Sequence, residues 1–219
     1  MDSGQGNRWI RMVARRVLKN NEIGEVIDCG GAKQLGVEVQ IYTTGGGTVA
    51  IQHAAVNEDD AFTQLGSTFS LAGATSVQLN ASFLRYVRFV TASVTGSPEA
   101  SIDLVVKDAG ASRMIRMLPR RVVKQAETSE IADLLEYKTI CAQIRVPTAG
   151  VTTGTIELQH AAVCAPSAFV TLGSAVTLLT AGTNNVQYHT SFLRYLRWRV
   201  SDTIGGSPEV IVDIIAKEL

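Results

Sequence analysis

The segment Ser82-Phe83-Leu84-Arg85-Tyr86-Val87-Arg88-Phe89 recurs 109 residues later as Ser191-Phe192-Leu193-Arg194-Tyr195-Leu196-Arg197-Trp198. An octamer this specific does not recur by chance. It marks a tandem duplication, and a duplicated chain folds as two copies of one architecture. The flanking sequence extends the match. Asn7–Met12 is echoed by Ser112–Met117, Arg15–Lys19 by Arg120–Lys124, and Asp28 and Lys33 by Asp133 and Lys138, all at an offset of 105. Gln52-His53-Ala54-Ala55-Val56 matches Gln159-His160-Ala161-Ala162-Val163 at 107. Ser97-Pro98-Glu99 matches Ser207-Pro208-Glu209 at 110, as does Lys107 with Lys217.

The offset grows in three steps, and each falls in a Gly/Thr/Asn-rich stretch. Thr44-Gly45-Gly46-Gly47 faces the longer Thr148–Gly154. Gly73–Ser76 faces Thr180–Asn184, and Gly96 faces Gly205-Gly206. Surface loops tolerate insertions and packed elements do not. The gaps therefore mark loops and the gap-free blocks mark strands. The division is a flexible arm over 1–6, a first repeat over 7–108, a linker over 109–111 and a second repeat over 112–219. About 105 residues per repeat is enough for a core of its own.

Leu35, Val37, Val39 and Ile41 alternate with Gly36, Glu38, Gln40 and Tyr42, and Ile140, Ala142, Ile144 and Val146 repeat the apolar set. Period-two alternation means a strand with one buried face. Val49, Ile51 and His53 continue the pattern, matched by Ile156, Leu158 and His160. Short strands are expected over 61–69, 168–177, 76–79 and 185–188, and terminal strands over 100–107 and 210–217. Residues 9–19 also fit a helix face through Ile10, Val13, Val17 and Leu18. Pro119 in the second copy disfavours a helix interior and points to an extended strand. The fold class that follows is all-β: two tandem antiparallel β-sandwiches.

In the octamer, the alternation puts Phe83, Arg85, Val87 and Phe89 on one face and Tyr86 and Arg88 on the other. Val90 is replaced by Arg199, so the Tyr86/Arg88 side is read as the wetter one. An inward arginine needs a partner, because an unpaired buried charge is costly. Asp103 is the expected partner of Arg85, and Asp213 of Arg194. The outward strip of Tyr86, Arg88, Tyr195, Arg197 and Arg199 is a candidate interface, since Tyr and Arg favour interfaces. The basic N-terminal run Arg8, Arg11, Arg15 and Arg16 is a candidate contact for an acidic partner.

A formal net charge of +0 gives no bulk attraction to nucleic acid or to an anionic membrane. No apolar run approaches the roughly 18 residues that span a bilayer. Residues 1–6 lack a signal-peptide pattern, which points to synthesis in a cytoplasm. Cys29, Cys141 and Cys164 show no CxxC or zinc spacing and read as reduced structural residues. His53 and His160 hold twin positions without an HxH or HExxH pattern, so a structural role is expected. His189, unmatched in the first repeat, reads as a surface residue. No nucleophile elbow, P-loop or dinucleotide motif occurs. No metal site, cofactor or catalytic residue is expected.

The order Gln-His-Ala-Ala-Val, then Phe62-x-x-Leu65-Gly66-Ser67, then Phe83-Leu84-Arg85-Tyr86-x-Arg88, then Asp103-Leu104-Val105-Val106-Lys107 resembles the jelly-roll β-sandwich modules of bacteriophage structural proteins. It is also similar to discoidin-like, carbohydrate-binding sandwiches. The first resemblance implies a non-enzymatic structural protein of a phage or phage-like particle, a head-decoration, neck or tail component. Such a protein is made in the host cytoplasm and resides in the virion. Its partners would be other subunits, as a homo-oligomer or on a capsid or tail scaffold. The second implies a module that attaches to cell-surface glycans. A hydrolase built on His53 or His160 is a third reading.

Overall fold

A computed structural model describes residues 7–30, 32–80, 82–108, 112–150, 154–201 and 204–218. The expected arm (1–6) and linker (109–111) lie outside the described residues. The chain divides into two compact units, Met1–Ala111 and Ser112–Leu219.

The first unit contains β1 (Asn7–Val17), β2 (Ile27–Asp28), β3 (Ala32–Thr43), β4 (Gly46–Ala54), β5 (Thr63–Gln64), β6 (Phe69–Ser70), β7 (Ser76–Asn80), β8 (Tyr86–Thr95) and β9 (Glu99–Asp108). One sheet has the order β1-β9-β3-β7. The other has the order β2-β8-β4-β5, with β6 also on β4. The second unit contains β10 (Ser112–Val122), β11 (Ala132–Asp133), β12 (Thr139–Thr148), β13 (Thr155–Ala161), β14 (Val170–Thr177), β15 (Thr183–His189), β16 (Tyr195–Val200) and β17 (Glu209–Lys217). Its sheets are β10-β17-β12-β15 and β11-β16-β13-β14. All these pairings are antiparallel. In both units the chain passes back and forth between two sheets in the order that defines a jelly roll.

The alternation read from the sequence sets the inner faces. Leu35, Val37 and Val39 of β3 and Ile102, Leu104 and Val106 of β9 pack with Val49 and Ile51 of β4 and Val87 and Phe89 of β8. Ile140, Ala142, Ile144 and Val146 of β12 meet Ile156, Leu158, Leu196, Trp198 and Val200 in the same way. The three length changes between the repeats fall between strands, at the β3–β4, β6–β7 and β8–β9 connections and their counterparts.

The long edge strand β1 is extended, as Pro119 in its counterpart required. Its pairing with β9 slips between Arg11 and Val13 and again between Val13 and Arg16. The β10–β17 pairing slips at the matching places, Arg116/Leu118 and Leu118/Arg121. Pro119 lies inside the second slip, where a missing N–H costs no ladder bond. Irregular pairing and a row of arginines blunt an edge that would otherwise invite another strand.

One short strand differs from expectation. Residues 61–69 do not form one strand: Asp59–Ala61 is a 3-10 turn, and β5 and β6 are separate pairs of residues. Gly66, at φ 67°, lies between them in the left-handed region and breaks the extended run. In the second unit Pro166–Ala168 forms the turn. There β14 continues through Gly173 (φ 76°) by a slip in its register with β13 between Ile156 and Leu158.

Candidate functional site

Arg85 and Arg194 are ion-paired, but not with the expected aspartates. Arg85 Nη2 lies 2.6 Å from Asp28 Oδ2, and Arg194 Nη2 lies 2.6 Å from Asp133 Oδ2. The reason is where the strand begins. β8 starts at Tyr86, so the inward alternation of Val87 and Phe89 does not extend back to Arg85. That residue stands half-exposed beside β2. The bond to Asp28 raises the Arg85 guanidinium pKa, and Arg194 holds the Asp133 carboxyl below its ordinary value.

Asp103 instead faces Arg11, directly opposite in the β1–β9 register, at 2.9 Å. Asp213 faces Arg116 at 2.8 Å and also reaches Arg145 at 3.4 Å, with its own side chain fully buried. Arg15 bonds Glu99 at 2.8 Å and stacks 4.3 Å from the Tyr42 ring centroid, while Arg16 bonds Glu22. Arg11, Arg15 and Arg16 thus each pair with a carboxylate of their own unit, with their side chains still about half exposed. The Arg8 side chain lies outside those described.

The expected outward strip is also revised. Arg88 is buried, 7% exposed. Its Nε donates to Gln52 Oε1 at 2.9 Å, its Nη1 to Asp59 Oδ1 at 2.7 Å and its Nη2 to the Asp59 carbonyl at 3.4 Å. The Phe62 ring lies 4.0 Å from its guanidinium carbon. Arg197 is partly exposed and repeats most of this: Gln159 Oε1 at 2.8 Å, the Pro166 carbonyl at 3.3 Å and the Phe169 ring at 4.1 Å. Tyr86, Tyr195 and Arg199 are partly exposed, and both tyrosine rings carry the neighbouring arginine of the octamer. Gln52, Asp59 and Phe62 were not expected as partners, although Gln52/Gln159 and Phe62/Phe169 stand in matched motifs.

The twin histidines are structural acceptors. His53 Nδ1 accepts the Leu84 N–H at 3.0 Å, and His160 Nδ1 accepts the Leu193 N–H at 3.0 Å. Nδ1 of each ring is therefore unprotonated, and each ring ties the octamer to the sheet strand alongside it, β4 or β13. Burial pushes the His160 pKa down. Burial, with His160 nearby, does the same to His189, which is half-buried rather than on the surface. Cys29 and Cys141 are buried, with the Cys141 thiol pushed up to about 12 by burial. Cys164 is exposed rather than structural, since it falls in the loop after β13.

Among the described residues, no group of three or more His, Cys, Asp or Glu is placed to hold a metal ion. A groove of about 550 Å³ opens between β6 and β7, lined by Gly66, Ser67, Thr68, Ser70, Ser76 and Gln78 together with Phe69 and Val77. On the outer face of the β1-β9-β3-β7 sheet, Trp9 lies opposite Val105, and Val77 lies opposite Glu38 in the next row. Trp9, Val77 and Val105 are 55%, 66% and 41% exposed.

Neither protein-family models nor curated protein sequences give a match to this chain. Among solved structures it is similar to the PBSX exported protein XepA: 13% identity, TM-score 0.33, over 95% of this chain and 86% of that one. It is similar to the STIV MCP at 8% identity and TM-score 0.36, over 98% and 97% of the two chains. It is similar to an allantoicase at 13% identity and TM-score 0.30, over 90% and 80%. Likenesses of this degree carry no role, ligand or partner across, and the jelly-roll assignment rests on the strand order of the chain itself.

Proposed function

We propose that the chain is a non-enzymatic structural subunit of a phage or phage-like particle, a decoration, neck or tail component, built by duplication of one jelly-roll domain. It acts through contacts with other subunits of the same particle and resides in the virion after synthesis in the host cytoplasm. The carrying observation is the use each unit makes of its side chains. On the β1 edge, Arg11 and Arg15 are paired with Asp103 and Glu99 of β9. The first unit meanwhile leaves Trp9, Val77 and Val105 exposed on one sheet face. Exposed apolar side chains on a sheet face suit protein contact rather than chemistry. Tyr86, Tyr195 and Arg199 offer further contact surface. Duplication presents this tyrosine position twice within one chain, as Tyr86 and Tyr195.

The test is sedimentation of the wild type beside a Val77→Asp/Val105→Asp variant. The reading expects the wild type to associate and the variant, with unchanged circular dichroism, to associate less. Identical behaviour of two monomeric proteins that join no larger particle would overturn it.

The groove between β6 and β7 favours a second reading, a module that binds cell-surface glycans. Its hydroxyl and amide lining, free of charged side chains, suits a neutral sugar. Saturable binding to one glycan of a panel, lost on Gln78→Ala, would establish it, and a panel without binding would dismiss it.

A further inference from the structure

Asp59 and Pro166 stand at the same place in the two units. Each opens the 3-10 turn, after a residue with φ −126° and ψ 135° (Glu58) or 132° (Ala165). Each also turns its carbonyl to Nη2 of the octamer arginine, at 3.4 and 3.3 Å. The glutamine contact at Nε and the aromatic ring beneath the guanidinium agree between the units within about 0.1 Å. One component differs. In the first unit Arg88 Nη1 donates to the Asp59 carboxylate at 2.7 Å. In the second, the residue at that place is proline and brings no carboxylate.

Arg197 is therefore held like Arg88 by Gln159, the Pro166 carbonyl and Phe169, without the anion. The carboxylate that acts on it, Glu157, gives its own oxygens to Gln159 Nε2 at 2.7 Å and to the Thr171 hydroxyl at 2.9 Å. The first of these bonds fixes the glutamine amide with its oxygen towards Arg197. Burial lowers the Arg197 pKa, Arg199 lowers it further, and Glu157 opposes both. A guanidinium fixed in place, part-exposed and under-neutralised loses little freedom on binding an anion.

We propose that Arg197 is a binding site for a carboxylate carried by another molecule, seated at Nη1 where Asp59 sits on Arg88. An acidic side chain of a second copy and a free small carboxylate present the same chemistry. The site does not depend on the subunit reading.

The experiment follows the arginine Nε–Hε resonances of the whole chain by NMR while acetate replaces chloride at constant ionic strength. The Arg197 resonance shifts saturably, and Arg88, already filled by Asp59, serves as the unmoved reference. Pro166→Asp restores the internal carboxylate on a backbone that already has the Asp59 conformation, and it abolishes the response. Pro166→Ala, which removes the ring without adding a charge, retains it. No shift at Arg197, a shift shared equally with Arg88, or an undiminished response in Pro166→Asp overturns the site. Sedimentation then assigns the source. Association of the wild type that both acetate and Pro166→Asp reduce identifies a second copy. Unchanged mass with the NMR response intact identifies a free carboxylate.

Discussion

Leu84 donates its backbone N–H to His53 Nδ1 at 3.0 Å in a fully buried setting, while its counterpart Leu193 makes the same bond to His160 where the leucine is exposed. Removing the acceptor has different consequences at the two places. His53→Ala leaves a buried N–H without a partner and is expected to cost about 1–3 kcal/mol. His160→Ala leaves an N–H that water can reach, and its cost is smaller. Urea unfolding of the two variants measures the difference, and equal losses would contradict the assigned settings.

The histidines of the second unit also set a pH dependence. The folded pKa values of His160 and His189 lie below the ordinary value, so the unfolded chain binds protons at a higher pH than the folded one. Their stabilising contribution is full above the unfolded pKa of about 6.5 and is lost as pH falls below it towards the folded values. The urea midpoint should decline from pH 7 to pH 5. His189→Gln should flatten that decline.

Asp213 lies fully buried between Arg116 and Arg145, whereas Asp103 faces Arg11 at a side chain about half exposed. Asp213→Asn should cost about 3–5 kcal/mol, because it strands buried positive charge. Asp103→Asn should cost several-fold less, since water screens the remaining arginine. Thermal or urea unfolding ranks the two, and the reverse order would show that the burial is misassigned.

Gly24 and Ser129 are matched positions whose exchange should fail in both directions. A Cβ on Gly24 would stand 2.0 Å from the buried Phe89 ring. Gly24→Ala should therefore cost about 1–3 kcal/mol through overpacking. In the second unit the Ser129 hydroxyl accepts the Trp198 backbone N–H at 3.0 Å, so Ser129→Gly should lose about 0.5–1.5 kcal/mol. A stabilised Gly24→Ala variant would be incompatible with this packing.

The strands, loops and inner faces were legible because one chain carries the pattern twice. The matched apolar alternation named the core, and the length changes named the connections. The ion pairs were not legible. Arg11 and Asp103 are 92 residues apart and meet only because β1 lies beside β9, which alternation does not encode. Arg85 was placed inward because the period of β8 was carried one residue too far. Arg88 was placed outward because nothing local reveals that Asp59 and Phe62, on a turn 26–29 residues earlier, close over it. The matched aspartates Asp28 and Asp133 were visible as twins, but only the fold makes them partners of Arg85 and Arg194.

The most direct test of the subunit reading is the mass of the purified full chain by light scattering over a range of concentrations, with negative-stain images of the same peak. The account predicts a closed assembly of defined mass and symmetry, or a chain that becomes part of such a particle when one is supplied. A monomer at every concentration, absent from any particle and saturably bound by a glycan, would contradict it.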